Sequence, residues 1–380
     1  MLSLSILVLI HELGHFLMAK KFGIKVLEFG FGIPPRAWGK KIGETIVSLN
    51  WLPLGGFVHL LGEDEVDKKV LEDKRSFASQ TVSKRIIVVA AGVLMNLFLA
   101  WILYTILLAA QNFKYEMKLP FPYQFAGVVQ TNEEVVLIGD VAKDSPAFLA
   151  GIKKGDRVIA LDNEEIKNPG DLIAKTKQKA GREIILTLSN EAKSSQRKIS
   201  VTPRKTPPPN QGALGVAIDS YIFTVLEYRD LWQKILAGPI QGFNVMSVSF
   251  DTIGRLASVS LAQRNPGPVS ESFGGPVAIG YFFNIILNEP DLKLKLLRYL
   301  DITAGISLSL AFFNVLPIPA LDGGRLFFLL IEAVTRKKVN AEIEKKIHAV
   351  GMVVLLALFA LVTFKDINTF ILPEVGKLIH

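Results

Sequence analysis

Four stretches of this chain are apolar over a length that matches a lipid bilayer. About 20 apolar residues in helical form cross the roughly 30 Å hydrocarbon core. Ile86 to Ala110 carries no charge and holds Trp101 and Tyr104 towards its far end, where an interfacial aromatic belt is expected. Met1 to Met18 is apolar apart from two serines and the run His11-Glu12-Leu13-Gly14-His15, and Ile347 to Phe364 is apolar apart from His348 and Thr363. The fourth stretch, Ile302 to Ile331, is interrupted by Pro317, Pro319, Asp322 and Arg325. The pattern predicts a polytopic α-helical membrane protein of four spans: residues 1–22, 86–110, a broken third helix at 300–332, and 347–364. Within residues 23–85, Glu44–His59 holds short β-branched and aromatic stretches separated by turn residues, which predicts a β-hairpin in this loop. Residues 126–204 read as short strands with one helix at Asn168–Lys179, a compact inserted α+β domain. Pro207-Pro208-Pro209 is expected to be a stiff connector. In the following segment, 205–299, Leu226–Leu261 has helical spacing and modest hydrophobicity, as helices lying on the membrane surface would.

Composition fits a membrane protein. Of 380 residues, 50% are hydrophobic and 21% charged, and mean hydropathy is +0.36. The formal charge of +8 is spread along the chain with no basic arm, so no nucleic-acid partner is expected. Its positions do carry information. Lys20, Lys21 and Lys25 follow the first span, Lys84 and Arg85 precede the second, and Arg336, Lys337, Lys338, Lys345 and Lys346 lie between the last two. Positive residues mark the cytoplasmic side, so both termini and the 126–204 domain are expected outside. The first span lacks the basic lead and small-residue cleavage site of a secretory signal and is read as a membrane helix.

The chemistry is concentrated in two places. His11 and His15 stand at i and i+4 on one helical face, where both reach a single Zn²⁺, and Glu12 beside them is placed to take a proton from water on that metal. Ionisable residues at membrane depth are expensive and usually functional. A catalytic zinc takes three protein ligands, and with no cysteine in the chain the third must be a histidine or a carboxylate. His59 and His348 are poorly placed. Asp322 is the better candidate, because Asn314-Val-Leu-Pro-Ile-Pro-Ala-Leu-Asp-Gly-Gly324 breaks an apolar helix and delivers one acid among glycines, as a cavity-lining break would. His15 lies five residues before Lys20, about 8 Å from the helix end at 1.5 Å per residue, so a meeting with Asp322 in the inner half of the bilayer is expected. Asn314 is a candidate contact for substrate backbone or a developing oxyanion, or an Asn packed between helices.

Two resemblances extend this reading. Asp144-Ser-Pro-Ala-Phe-Leu-Ala-Gly-Ile-Lys-Lys-Gly-Asp-Arg-Val-Ile-Ala-Leu-Asp162 resembles the signature of PDZ domains, which take an extended peptide onto a sheet edge. Nearly the whole chain resembles the site-2 protease family of intramembrane zinc metalloproteases, in particular its bacterial PDZ-containing branch like the regulator of sigma-E protease. The family's H-E-x-x-H falls on His11, Glu12 and His15, and its N-x-x-P-x-P-x-L-D-G on Asn314, Pro317, Pro319, Leu321, Asp322 and Gly323. Its P-L-G-G-[YF]-V falls on Pro53–Val58, and its G-P-[VI] on Gly275-Pro276-Val277. In the second span Val93 replaces a usual proline of A-G-P-x-x-N, while Gly92 and Asn96 are kept. The resemblance implies zinc held by His11, His15 and Asp322, Glu12 as general base, and Asn314, Gly55, Gly56 and Phe57 near the substrate, the last three in a membrane-dipping β element. It implies an endopeptidase of the bacterial cytoplasmic (inner) membrane cutting single-span proteins of the anti-sigma-factor type, and remnant signal peptides, after another protease has shed the external domain. The competing readings are a PDZ-bearing membrane scaffold with a non-catalytic zinc site, and a metal transporter. An intact Glu12 disfavours the first, and the lack of paired repeats disfavours the second.

Overall fold

A computed structural model describes residues 2–63, 68–190 and 193–373; residues 64–67 of the expected 23–85 segment and the extreme C-terminus lie outside them. The chain divides into two compact units, residues 1–110 with 235–380, and residues 111–234.

The first unit begins with helix α1 (Leu2–Lys21), followed by strands β1 (Val26–Ile42) and β2 (Thr45–Leu60), the short α2 (Lys68–Glu72), and α3 (Val82–Ala110). α3 is the hub, packing against α1 and against three helices from the far end of the chain. Four helices are long and apolar enough to cross a membrane: Ser3–Lys21, Val82–Ala110, Leu292–Val315 and Glu342–Ile371. Three of them fall on predicted spans, and Leu292–Val315 covers only the first part of the expected 300–332, whose remainder is a separate helix, Asp322–Thr335; the chain is a polytopic integral membrane protein. Their outward faces carry large apolar side chains such as Leu94, Phe98, Val350, Val353 and Leu361. In water such a surface would aggregate, whereas in lipid it is solvated.

The hairpin is more folded than an ordinary one. Val26–Phe31 pairs with Gly56–Leu60 on one side and with Ile46–Leu49 on the other, while Arg36–Ile42 pairs back onto Thr45–Asn50. Each long strand is therefore bent in two, giving a small meander whose edge is Gly56–Leu60. Apolar Ala19, Ile24, Val26, Leu60, Phe77, Val88 and Val89 join this sheet to α1 and α3.

The second unit is built on strands β3 (Lys114–Leu119), β4 (Val129–Val141), β5 (Asp156–Leu161), β6 (Glu164–Glu165), β7 (Ile184–Asn190), β8 (Lys193–Val201) and β9 (Val216–Glu227), with α4 (Pro146–Leu149) and α5 (Pro169–Gln178). Its sheet order is β3-β9-β4-β5-β7-β8, with β6 against β5. Helix α5 forms where the sequence predicts one: Asn168 caps it by accepting the Asp171 N–H, with Pro169 at the first turn. Leu161, Leu172, Leu186 and Leu188 lie in its apolar core. The expected 126–204 domain falls within the compact unit 111–234. Pro207–Pro209 is not a connector to the next region but a loop inside the unit, because the chain returns as β9 to pair with β4 over twelve residues. A strand whose partner lies some 80 residues earlier leaves no local pattern, and the proline run hid it.

Beyond β9 come α6 (Leu231–Ile235) and α7 (Ala237–Gln263), then α8 (Gly267–Ser272), α9 (Pro276–Leu287), α10 (Leu292–Val315), α11 (Asp322–Thr335) and α12 (Ala341–Asp366). The Leu226–Leu261 stretch is thus the end of a strand, one short helix and most of a single 27-residue helix, rather than several surface helices. α7 packs on α3 where Gly238 and Gly242 let it approach; a Cβ at Gly238 would lie 1.9 Å from the Trp101 carbonyl oxygen.

Candidate active site

Helix α1 sets His11 and His15 one turn apart and buries both against α3. The two helices nearly touch there: a Cβ on Gly14 would lie 2.4 Å from the Ala91 carbonyl oxygen, so only glycine permits this approach. The next residue of α3, Gly92, provides the space for both imidazoles. A Cβ there would lie 2.3 Å from His15 Nε2 and 2.8 Å from His11 Cε1. His15 Nδ1 donates to the Val88 carbonyl at 2.8 Å, which leaves its Nε2 lone pair pointing inward.

Asp322 arrives from the other end of the chain. α10 ends at Val315, and the break Leu316–Leu321 contains Pro317, Pro319 and Ala320, the last with φ of +76°. The His348 Nδ1 accepts the Ala320 N–H at 2.8 Å, so this histidine steadies the break from α12. Gly323 and Gly324 fold tightly beneath it; a Cβ on Gly323 would be 1.9 Å from the Leu316 carbonyl oxygen. Asp322 thereby begins α11 with its carboxylate against the histidines. A buried ion pair, Arg85 Nη2 to Glu332 Oε1 at 2.5 Å, ties the rest of α11 to α3.

The three donor atoms form a triangle: His11 Nε2 to Asp322 Oδ2 2.9 Å, His15 Nε2 to Asp322 Oδ2 3.1 Å, and His15 Nε2 to His11 Nε2 3.2 Å. Ligands at ~2.05 Å in a tetrahedron stand about 3.3 Å apart, so an expansion of a few tenths of an ångström admits zinc. Among the described residues this is the one group of three potential metal ligands. A cavity of about 490 Å³ opens beside it, lined by Glu12, His15, Phe57, Asp322, Glu63 and Arg325 among others. Glu63 and Arg325 pair across its wall.

Of the residues singled out from sequence, His11, His15 and Asp322 come together, and Glu12 and Phe57 line the same cavity. Gly56 packs against α1, where an added Cβ would sit 3.7 Å from Glu12 Cγ. Gly55 has φ of +78°, and its N–H donates to Ser5 Oγ at 3.4 Å. Asn314 is in the last turn of α10 and is not among the residues lining the cavity. Sequence reasoning did not find the Val88 carbonyl, Glu63 or Arg325. A backbone carbonyl leaves no mark in sequence, Glu63 resembles any other loop acid, and Arg325 stood out only as an interruption of an apolar run, with nothing to show its partner.

Residues 1–358 match the family model described as peptidase family M50. The chain belongs to peptidase family M50. It is a metalloendopeptidase. A protein of Clostridium perfringens named as a zinc metalloprotease is 32% identical over 97% of both chains. The regulator of sigma-W protease of Bacillus subtilis is 25% identical over 96% of both, and a zinc metalloprotease of Geobacillus kaustophilus is 26% identical with the same coverage. The family assignment removes the scaffold and transporter readings.

Proposed function

We propose that this chain is a zinc endopeptidase that cuts the membrane-spanning segment of single-span proteins, with His11, His15 and Asp322 as zinc ligands and Glu12 as general base. The observation that carries this reading is the convergence of those three donor atoms beside a cavity lined by Glu12. Relatives of matching length are named as zinc metalloproteases, and zinc is the cofactor. Bound zinc supplies a Lewis acid and lowers the pKa of water to near neutrality.

The protein's own groups do the rest. Glu12 is one residue from a ligand and lines the cavity, so its carboxylate can take a proton from attacking water and pass it to the leaving amine. Among the described residues Gly56–Leu60 pairs with Val26–Phe31 on one side only, and its Phe57, Val58 and Leu60 line the cavity. An edge of this kind can hold an unwound substrate in extended form. A helix must unwind before its peptide bonds are accessible, and new main-chain bonds to an edge offset that loss.

The 111–234 unit fits the PDZ reading. β3 covers β9 only from Ile222 to Glu227, so among the described residues Val216–Tyr221 has a strand partner on one side alone, and α5 packs near β9. We read it as an external screen or peptide-binding module, with the zinc site in the cytoplasmic half of the bacterial inner membrane and both termini outside. Substrates of the anti-sigma-factor type are favoured by the likeness to the Bacillus subtilis regulator of sigma-W protease.

Cleavage of a single-span reporter lacking its external domain tests this directly, with the cut mapped by mass spectrometry. A cut in the inner half of the span is expected. Cleavage confined to the soluble flanks would refute the intramembrane reading.

A further inference from the structure

The second spanning helix meets the two histidines at successive turns. Val88, Gly92 and Asn96 follow one another at four-residue spacing on α3, and across from them run His15 and His11 on α1 in the opposite sense. Val88 accepts from His15 through its carbonyl, and Gly92 leaves room for both rings. Asn96 is the third member of this row. It is fully buried, its side-chain nitrogen is 3.4 Å from His11 Nδ1, and its Oδ1 has no hydrogen-bond partner among the described residues.

The two imidazoles therefore face inward through Nε2 and outward through Nδ1. His11 Nε2 is the atom near Asp322 Oδ2 and His15 Nε2. A neutral imidazole that gives the Nε2 lone pair to a metal carries its proton on Nδ1, so the group facing Nδ1 must accept. An amide nitrogen cannot. The two ends of an Asn amide are told apart only by their partners, and a half-turn about Cβ–Cγ puts Oδ1 against His11 and satisfies the ring. In either orientation one amide atom has no partner among the described residues, so the bond to His11 is the one side-chain compensation they offer for burying this group at membrane depth. The position of Asn96 is also fixed from behind, because its backbone carbonyl accepts Ser307 Oγ at 2.8 Å from α10.

We propose that Asn96 is the positioning residue for His11: its side-chain oxygen accepts the Nδ1–H, fixes the tautomer with the lone pair on Nε2, and aims that nitrogen at zinc. The proposal rests on the reading of His11, His15 and Asp322 as zinc ligands. It gives the two histidines unlike supports. His15 is held by a backbone carbonyl that substitution cannot remove, while His11 is held by a side chain that substitution can.

The test is zinc affinity of the full chain in detergent micelles, measured by chelator competition, together with the visible spectrum of the Co²⁺-loaded protein. Outer-sphere partners of a ligating histidine are worth about 10–100-fold in metal affinity. Asn96→Leu should weaken zinc by that factor and shift the cobalt bands, and Asn96→Asp, which keeps an acceptor oxygen, should restore both. Asn96→Ser, too short to reach His11, carries the same expectation as the leucine variant should that one fail to fold. Wild-type affinity in Asn96→Leu or Asn96→Ser, or equal loss in Asn96→Asp, overturns the role of Asn96. His11→Ala separates the two levels. Full zinc binding in that variant overturns the ligand assignment and the proposal with it, whereas loss of zinc there with none in Asn96→Leu overturns the proposal alone.

Discussion

The two units bury opposite things. In the 111–234 unit the interior is Leu161, Leu172, Leu186, Leu188 and their neighbours, and charges such as Lys179 and Asp162 pair near the surface. In the helical unit the large outward side chains are apolar, and the buried set includes His11, His15, Arg85, Asn96, Asn244, Ser307 and Glu332. A soluble domain gains from hiding hydrocarbon. A helix in lipid gains little from that and is held by close packing at glycines and by polar contacts that hydrocarbon cannot satisfy. In such a unit a buried polar residue stands out, and here two of the buried polar residues, His11 and His15, lead to the candidate metal site.

The comparison can be broken most severely at its polar interior. Asp322→Ala should abolish zinc binding and cleavage together, because two histidines alone hold the metal weakly; full metal content by atomic absorption in that variant would show the ligand set to be wrong. Gly92→Val comes next. It adds a side chain where even a Cβ lies 2.3 Å from His15 Nε2, so metal and activity should fall although no ligand is changed. Equal zinc affinity in wild type and this variant would mean that α3 does not shape the site.

Glu332→Ala leaves Arg85 buried without its partner, a change that typically costs about 3–5 kcal/mol. The helical unit should lose stability to heat while the 111–234 unit is unaffected, and a melting curve resolving the two units checks this. If both units lost stability equally, the polar contacts of the helical unit would not be local to it.

The smallest effects belong to the surface pairs. Two bonds, from Lys179 and from the Ile185 N–H, hold the Asp162 carboxyl below its ordinary range. A carboxylate whose pKa is lowered by folding stabilises the fold above its unfolded value near 3.8 and loses that contribution as pH falls further. Arg75 and Lys20 likewise hold Glu44 down at about 2. Asp162→Asn should therefore flatten the acid loss of stability in the 111–234 unit below about pH 4. An unchanged acid profile would remove this pair from the account.

Much of this was visible in the order of residues, for reasons that differ by region. The spans were legible because lipid demands long apolar runs, and His11, Glu12, His15 and Asp322 because each interrupts one. The single acid among Pro317, Pro319 and the glycines marked the broken helix. What sequence concealed depends on distant partners. β9 pairs with a strand 75 to 98 residues earlier, β1 and β2 fold back to form a meander, and Arg85 finds Glu332 across 247 positions. Asn314, expected near substrate, lies in the last turn of α10 and not in the cavity lining, whereas Asn96, a bare motif remnant in sequence, lies against His11.

The most direct test of the whole account is zinc content and reporter cleavage measured on one membrane preparation of Glu12→Gln. One zinc per chain with cleavage lowered about 10²–10⁴-fold is the predicted result. Cleavage at the wild-type rate would contradict the account, since Glu12 would then have no part in moving the proton.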